Sequence, residues 1–571
     1  MKQKLLGSYI KYGIGLLAIA LSLFSAATGQ ATLIWDPGVT GGGGGGGAGA
    51  WNEVTVPIPT NWYDSTVPGD VVWTAGGDAE FDNTGGAVAV AAGGVTAHNI
   101  TFNGPSYVVA TGTANSITLN GTAPTITVNG SNTATFGSSS TNPGIIAGTA
   151  GLTKDGPGTL AFDSRGGSNT YTGGTTILAG TLQVNREGAL GATPIAMDYN
   201  NIVMKQGATF KYGLATSPST YRGIRLDGTG ATATFNQTAT GTLSWLAPIT
   251  GTGGLNIITS GSLRLGNNIN TYNGDTVFQS GTLSQGSDNP LPYYSNPNGA
   301  GTGNVYVWSG ATIYMNNFNI QINGLNDGVG TSHGAGTVTQ AGSGSRTLTL
   351  GDNNANGNFS GVVSGGKLSL SKIGAGTQIL SGANNFGSTT GTVTTVYAGT
   401  LDVNGSIGGL TVNSGATFSP IGSILSSTSL NVLGKLNFAA GSTDIFDINS
   451  ATAYDQLNVS VGASAGTVTL GGTLQVNLNY TPAATDAFWI INNDLTDAVN
   501  GTFNGLPQGS TVFTSGGTPW VIYYNADYST LNSTPGAGND VVIAPIPEPA
   551  TLVMLIIAGG LCLMFRRTRN K

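Results

Sequence analysis

Between Thr32 and Ala544 the chain keeps one short rhythm. Four to seven residues alternate apolar with Thr, Ser or Asn, and Gly, Asn or Asp then closes the run. Ser116-Ile117-Thr118-Leu119-Asn120-Gly121, Thr125-Ile126-Thr127-Val128-Asn129-Gly130 and Gly180-Thr181-Leu182-Gln183-Val184-Asn185 are examples. A period of two is the pattern of a strand with one face in a core and the other in water. No stretch of this region sustains the 3.6-residue apolar period of a helix. The Asn-Gly and Gly-Gly closures supply the positive φ that tight corners need. Gly makes up 93 of 571 residues, yet hydrophobic residues are 39% and charged residues only 8%. Disordered chains pair low hydrophobicity with high net charge, and this chain has neither. The expected class is all-β.

A longer unit sits above the strand rhythm. One copy runs Gly151-Leu152-Thr153-Lys154-Asp155-Gly156-Pro157-Gly158-Thr159-Leu160, passes Asn169-Thr170-Tyr171-Thr172-Gly173-Gly174-Thr175-Thr176-Ile177 and ends Ala179-Gly180-Thr181-Leu182-Gln183-Val184. A second holds Gly261-Ser262-Leu263-Arg264-Leu265, Asn270-Thr271-Tyr272-Asn273-Gly274-Asp275 and Ser280-Gly281-Thr282-Leu283. A third, degraded copy holds Lys372-Ile373-Gly374-Ala375-Gly376-Thr377, Asn384-Asn385-Phe386-Gly387 and Ala398-Gly399-Thr400-Leu401-Asp402-Val403. The steps Thr159 to Thr181, Ser262 to Thr282 and Thr377 to Thr400 are 22, 20 and 23 residues. Such a period with three strand-like segments predicts one coil of a solenoid. Leu160, Ile177, Leu182 and Val184 point inward, and Thr, Ser and Asn point out. A uniform coil of about 22 residues predicts about 23 coils stacked roughly 4.8 Å apart, a rod on the order of 110 Å.

These copies resemble the autotransporter-associated β-strand repeat of bacterial surface and secreted proteins. The resemblance is close over Leu152–Val184 and looser near 261–285 and 367–404. It implies a right-handed parallel β-helix (β-solenoid).

Both ends of the chain read as targeting segments. Lys2, Lys4 and Lys11 precede the apolar stretch Gly13 to Phe24 and then Ser25, Ala26, Ala27 and Gly29-Gln30-Ala31. That order predicts a signal peptide cut between Ala27 and Ala31. At the other end Pro545-Ile546-Pro547-Glu548-Pro549 leads into the apolar run Ala550 to Phe565, then Arg566, Arg567, Arg569 and Lys571. Sixteen helical residues span roughly 24 Å against a hydrocarbon core of roughly 30 Å, a gap that snorkelling Arg side chains cover. A short C-terminal transmembrane helix is therefore expected, with its basic tip inside and the body outside. The tail resembles the PEP-CTERM sorting signal of exported bacterial proteins. The matching residues are Pro547, Glu548 and Pro549, the apolar run, and Arg566, Arg567 and Arg569. The resemblance implies an exosortase-like membrane protease as partner. The simpler alternative is an ordinary membrane anchor.

The expected order is a signal peptide over 1–31, an N-terminal β segment and solenoid cap over 32–135, a β-helix over 136–424, a further β segment over 425–544 and the sorting signal over 545–571, with its apolar run at 550–565. Residues 32–82 hold Trp35, Trp51, Trp62 and Trp73 around the run Gly41–Gly47. The tryptophans fit a cap over the first coil better than a sugar-stacking platform.

Chemistry-bearing residues are sparse. The single cysteine, Cys562, lies in the terminal apolar run, so the body has no disulfide, Cys-ligated zinc or Cys nucleophile. With both ends set aside, 12 basic residues face 25 acidic ones, a balance that argues against nucleic acid and anionic lipid. His98 and His333 read as turn or surface residues, and no HExxH, GxSxG or paired Cys/His set is present. Asp444, Asp447 and Asp455 fit alternate strand positions and turns. Arg222 and Arg225, near Asp227, read as an outward pair. Gly536-Ala537-Gly538-Asn539-Asp540-Val541 is similar to a calcium β-roll repeat, but one copy cannot share ions between turns. Gly156-Pro157-Gly158 lacks the Lys-Ser/Thr of a phosphate loop. No catalytic residue, metal or cofactor is assigned. The expected function is a non-enzymatic exported surface or extracellular-matrix protein, structural or adhesive, with extracellular polysaccharide as a candidate partner. The alternative is a polysaccharide-active or polysaccharide-binding β-helix enzyme.

Overall fold

The computed structural model of the chain describes residues 31–38, 45–53, 60–163, 167–214, 218, 221–230, 232–297, 301–328, 334–420, 429–460, 466–493, 497–533, 536 and 538–546. Across them the period-two runs form short strands, and strands from successive coils pair in parallel. The result is an all-β parallel solenoid.

One ladder runs from Gly49–Trp51 and Ala87–Val90 through Thr133–Phe136, Thr159–Phe162, Thr181–Val184, Thr209–Tyr212 and Thr232–Gln237 into Gly254–Leu265. Parallel pairing continues as far as Thr443–Ile448 against Thr473–Leu478. A second face stacks Thr125–Val128, Leu152–Asp155, Thr175–Ile177, Asp198–Lys205 and Arg222–Asp227. Alternation then sorts the side chains. Leu160, Leu182, Phe210 and Phe235 face one another in register inside, each no more than 2% exposed. Burying a side chain of this size contributes about 1.5–3 kcal/mol, and the column repeats it coil after coil.

The coil is not a fixed 22-residue unit. Phe162 pairs with Val184, 22 residues on, and Val184 with Tyr212, 28 residues on. Asp402 pairs with Ser419 after 17 residues, and Asp444 with Leu474 after 30. Corner loops of unequal length absorb the difference, because strand stacking constrains only the paired segments. The solenoid therefore has fewer coils than the about 23 expected from a uniform repeat.

Glycine holds the corners where backbones of neighbouring coils nearly touch. A Cβ on Gly151 would lie 2.7 Å from the Gly173 carbonyl oxygen. One on Gly254 would lie 2.7 Å from that of Asp275.

Both ends abandon parallel pairing. Thr32–Trp35 pairs antiparallel with Trp62–Asp64, which pairs antiparallel with Gly69–Val71. Trp35, Trp51, Trp62 and Trp73 are all buried there, with Trp62 centred 4.7 Å from Trp73 and Trp51 5.0 Å from Trp73. Phe81, stacked 4.8 Å from Phe102, joins this plug to the first coils. At the other end Phe488–Asn493, Asp540–Pro545, Thr518–Ala526 and Thr511–Ser515 form an antiparallel unit. Such ends cover the open strand edges a solenoid otherwise presents.

Among the described residues no helix is long and apolar enough to cross a membrane. The expected signal peptide falls on residues 1–31, of which only Ala31 is described. The expected transmembrane run at 550–565 lies outside the described residues.

Candidate functional surface

The strongest local geometry belongs to the repeat corners. In the first copy Lys154 stands at an inward position, in register between Ile126 and Ile177. In the third copy Lys372 stands between Leu350 and Val396. Neither side chain reaches solvent. Lys154 Nζ donates to the carbonyl oxygens of Asp155 at 2.6 Å, Gly156 at 2.7 Å and Ala179 at 3.2 Å. Lys372 Nζ repeats the pattern on Ile373 at 2.8 Å, Gly374 at 2.9 Å and Ala398 at 3.1 Å. An ammonium has three donors, and each is used. Gly156 and Gly374, at φ +75° and +67°, turn their carbonyls back toward the amine. Burial pushes both lysines down to about 8.

A second device recurs in all three copies. Asn169 Oδ1 accepts from Ile146 N at 2.9 Å, while Nδ2 donates to Ala189 O at 2.7 Å. Asn270 Oδ1 accepts from Ile249 N and its Nδ2 donates to Pro290 O, both at 2.7 Å. Asn384 Oδ1 accepts from Val363 N at 2.9 Å, and Nδ2 donates to Asn404 O at 3.0 Å. Each amide thus ties the coil before it to the coil after it. In the first two copies the tyrosine two residues on bonds a threonine: Tyr171 Oη to Thr175 Oγ1 at 2.7 Å, and Tyr272 Oη to Thr276 Oγ1 at 2.6 Å. The sequence signal for Lys154 and Lys372 was a lone charge at an inward alternation position, and it went unread. So did the recurring Asn before each aromatic residue.

The outward face is neutral and self-bonded. Asn431 Nδ2 donates to Ser406 Oγ at 3.1 Å, Asn458 Nδ2 to Asn431 Oδ1 at 3.4 Å and Asn492 Nδ2 to Asn458 Oδ1 at 3.2 Å. Asn129 Nδ2 donates to Asn103 Oδ1 at 2.6 Å, and Ser364 Oγ to Thr339 Oγ1 at 3.0 Å. A carboxamide has two donors and two acceptor lone pairs, so a ladder uses only part of its capacity.

The residues weighed for catalysis do not assemble. Arg222 is not an outward partner of Arg225: it is wholly buried. Its Nε meets Glu187 at 2.7 Å, Nη1 meets Leu190 O at 2.9 Å and Asn201 Oδ1 at 2.8 Å, and Nη2 meets Gly191 O at 2.8 Å. It holds the end of the 3₁₀ turn Glu187–Leu190. Adjacent strand positions point to opposite faces, so Arg225, three residues on, lies outside with Lys205. Both contact Asp227 Oδ2 at 2.9 Å. His98 is neither in a turn nor fully on the surface. It lies within the strand Val95–Phe102, half-buried, with Nδ1 3.1 Å from Asp78 Oδ1. His333 lies outside the described residues.

Asp444 faces the core opposite Phe418 and Leu474, and burial pushes its carboxyl up to about 7. Burial, with a smaller contribution from Asp447, raises Asp402 to about 6. Asp455 Oδ2 accepts from the Asp447 backbone N–H at 2.8 Å, a turn role. Asp540 accepts from Asn493 N and Tyr528 N, both at 2.7 Å, which occupies the carboxylate of the β-roll-like motif. Among the described residues no group of three His, Cys, Asp or Glu is placed to hold a metal. The sorting residues Pro547, Glu548, Pro549, Arg566, Arg567 and Arg569 lie outside the described residues.

Residues 152–184, 260–284 and 370–403 match the family model described as Passenger-associated-transport-repeat. The chain carries three copies of this repeat. Over 509 residues it is 30% identical to a protein named Adhesin BmaC autotransporter from Brucella suis biovar 1 (strain 1330). That match covers 79% of this chain and 13% of the relative, so the chain corresponds to a small part of a much longer protein. The crystal structure of the Haemophilus influenzae Hap adhesin overlaps 86% of this chain and 66% of its own, at 13% identity and a TM-score of 0.26.

Proposed function

We propose that this chain is an exported, non-enzymatic adhesive solenoid that works at the cell surface or in the extracellular matrix. The observation that carries the reading is the outer face: uncharged Ser, Thr and Asn side chains stacked in register across coils, as in Ser406-Asn431-Asn458-Asn492. Such a surface offers the same weak contact many times, which suits extracellular polysaccharide. The repeat match and the likeness to a protein named an adhesin autotransporter support export and display. The enzyme alternative is weaker, because Arg222 and Asp444, two of its few charged candidates, are buried in the body of the solenoid.

We further propose that the tail from Pro545 is a sorting signal read by an exosortase-like membrane protease. Its support is the order Pro547-Glu548-Pro549, apolar run, Arg566, Arg567 and Arg569. Intact mass of the protein from cells with and without that protease tests this. A protease-dependent product ending near Pro547 supports sorting, and an unchanged full-length membrane species makes the tail an ordinary anchor. Adhesion is tested by deleting the gene: cells that keep wild-type attachment and matrix defeat the adhesive reading.

A further inference from the structure

We infer that the shoulder where the solenoid meets its C-terminal cap is a binding site for a neutral oligosaccharide. The proposal rests on the adhesive reading and gives it a location. A cleft of about 430 Å³ opens there, lined by Gln456, Asn458, Asn492, Thr452, Tyr454 and Tyr528 among others, and no lining residue is charged. Its volume lies in the range of sites for small ligands.

Three features make it a built site rather than a gap. First, the amide ladder ends in it. Asn492 donates to Asn458, which donates to Asn431, so the carboxamides are held in one direction at coil spacing. Amides fixed this way retain donors and acceptors for the vicinal hydroxyls of a sugar. Gln456 is fixed too, with Nε2 donating to Trp489 O at 2.9 Å.

Second, both tyrosine rings are locked edge to face. Tyr454 lies 5.4 Å from Phe488, and Tyr528 lies 5.4 Å from Trp489. Tyr528 is also held by its backbone N–H on Asp540. Rings that do not move cost little entropy when the C–H face of a pyranose rests on them. Third, the walls come from both units: Asn458 belongs to the parallel coils, and Tyr528 to the cap. The absence of charge selects against uronates and sulfated glycans, which a cationic residue would be needed to hold.

The test is calorimetric titration of the full chain, purified in a sugar-free detergent, with neutral tetra- to hexasaccharides of glucose, galactose, mannose and N-acetylhexosamines. Oligouronates serve as the charged control. Thr452→Trp adds bulk from an exposed position without touching the ladder. Asn492→Ala removes the terminal amide. The expected result is binding of at least one neutral panel member, weakened about tenfold or more by Thr452→Trp and also reduced by Asn492→Ala. Circular dichroism of Thr452→Trp matching the wild type shows that the fold survives. No neutral oligosaccharide binding, equal binding of uronates, or binding that Thr452→Trp leaves intact overturns the site. The adhesive reading fails by a different result. Cells carrying Thr452→Trp that attach like wild type sink only this cleft, whereas cells lacking the protein that attach like wild type sink the adhesive role itself.

Discussion

The first and third repeat copies put a lysine into the core, and the middle copy does not. Leu152, Leu255 and Leu370 begin equivalent strands, pairing with Thr175, Thr276 and Thr394. Two residues on stand Lys154, Ile257 and Lys372, pairing with Ile177, Phe278 and Val396. The corner that follows differs in step. Asp155-Gly156-Pro157-Gly158 and Ile373-Gly374-Ala375-Gly376 turn through a glycine of positive φ and aim carbonyls at the ammonium. Ile258-Thr259-Ser260-Gly261 bonds itself instead, with Gly261 N donating to Thr259 Oγ1 at 3.1 Å and Thr259 meeting Gln237. Lysine and glycine therefore form one device, and isoleucine and threonine another. What all three copies keep is the neutral amide of Asn169, Asn270 and Asn384. The charge is interchangeable if its corner changes with it; the coil-to-coil bridge is not.

Lys154→Met breaks this comparison most sharply. It keeps the stem and strands three carbonyls, and each buried unpaired group costs about 1–3 kcal/mol. Part of that is offset by losing a buried charge, so the expected loss is about 2–4 kcal/mol. Ile257→Met, the same endpoint without a cradle, is expected to cost less than about 1.5 kcal/mol. Native-state hydrogen exchange at Thr181–Val184 reads the local effect, which matters because coils unfold with some independence. The comparison is sharpened by the double change Lys154→Ile with Gly156→Thr, which copies two middle-copy residues. If that variant is no better than Lys154→Ile alone, lysine and glycine are not one device.

The amide bridge should rank next. Asn384→Ala frees the Val363 N–H and the Asn404 carbonyl, and also those of Leu380 and Gly382, which the same Nδ2 serves. A cost of roughly 2–3 kcal/mol is expected, and a comparable one for Asn270→Ala in the copy that has no lysine. Urea denaturation followed by tryptophan fluorescence compares them. Near-neutral Asn270→Ala would show that the bridge matters only beside a lysine, contrary to the constancy argued above.

Much of this was readable from the chain. Alternation placed Leu160, Ile177, Leu182 and Val184 inside, and all four are fully buried. Four tryptophans near the start gave the cap. The misses share a cause. A strand pattern says which way a residue points but not what backbone lies at its tip, and Lys154, Arg222 and Asn384 all spend their polar ends on carbonyls 20 or more residues away. Coil length escaped for a related reason: three copies with steps of 20 to 23 residues say nothing about the loops between the others. The cleft at Asn492 and Tyr528 was invisible because its two walls are 36 residues apart in sequence and belong to different units.

Gly156→Ala tests the corner without touching the amine. At φ +75° an added methyl is strained and also meets the Val128 carbonyl, so about 1–2 kcal/mol is expected. Thr259→Ala, at the matching middle position, loses one hydroxyl and should cost about 1 kcal/mol. Equal effects in urea denaturation would mean that the two corners are built alike.

The smallest effect near neutral pH, and the most specific, is the pH dependence. Burial lowers Lys154 and Lys372 to about 8 in the folded chain, against an ordinary value of 10.5. Between those values the unfolded chain binds more protons than the folded one. Stability linked to these groups therefore rises with pH from about 8 to 10.5, is complete above that window, and is lost as pH falls through about 8. Below about 8 the slope vanishes, because both states hold the ammonium protonated. The double variant Lys154→Met/Lys372→Met should lose this rise, while Ile257→Met keeps it. Subtracting urea midpoints of variant from wild type, pH by pH, cancels tyrosines and carboxylates that titrate in both proteins. A difference that stays flat from pH 8 to 10.5 would show that the three carbonyls on each Nζ hold the ammonium as firmly as water does, leaving the lysine corners electrostatically indistinguishable from the isoleucine one.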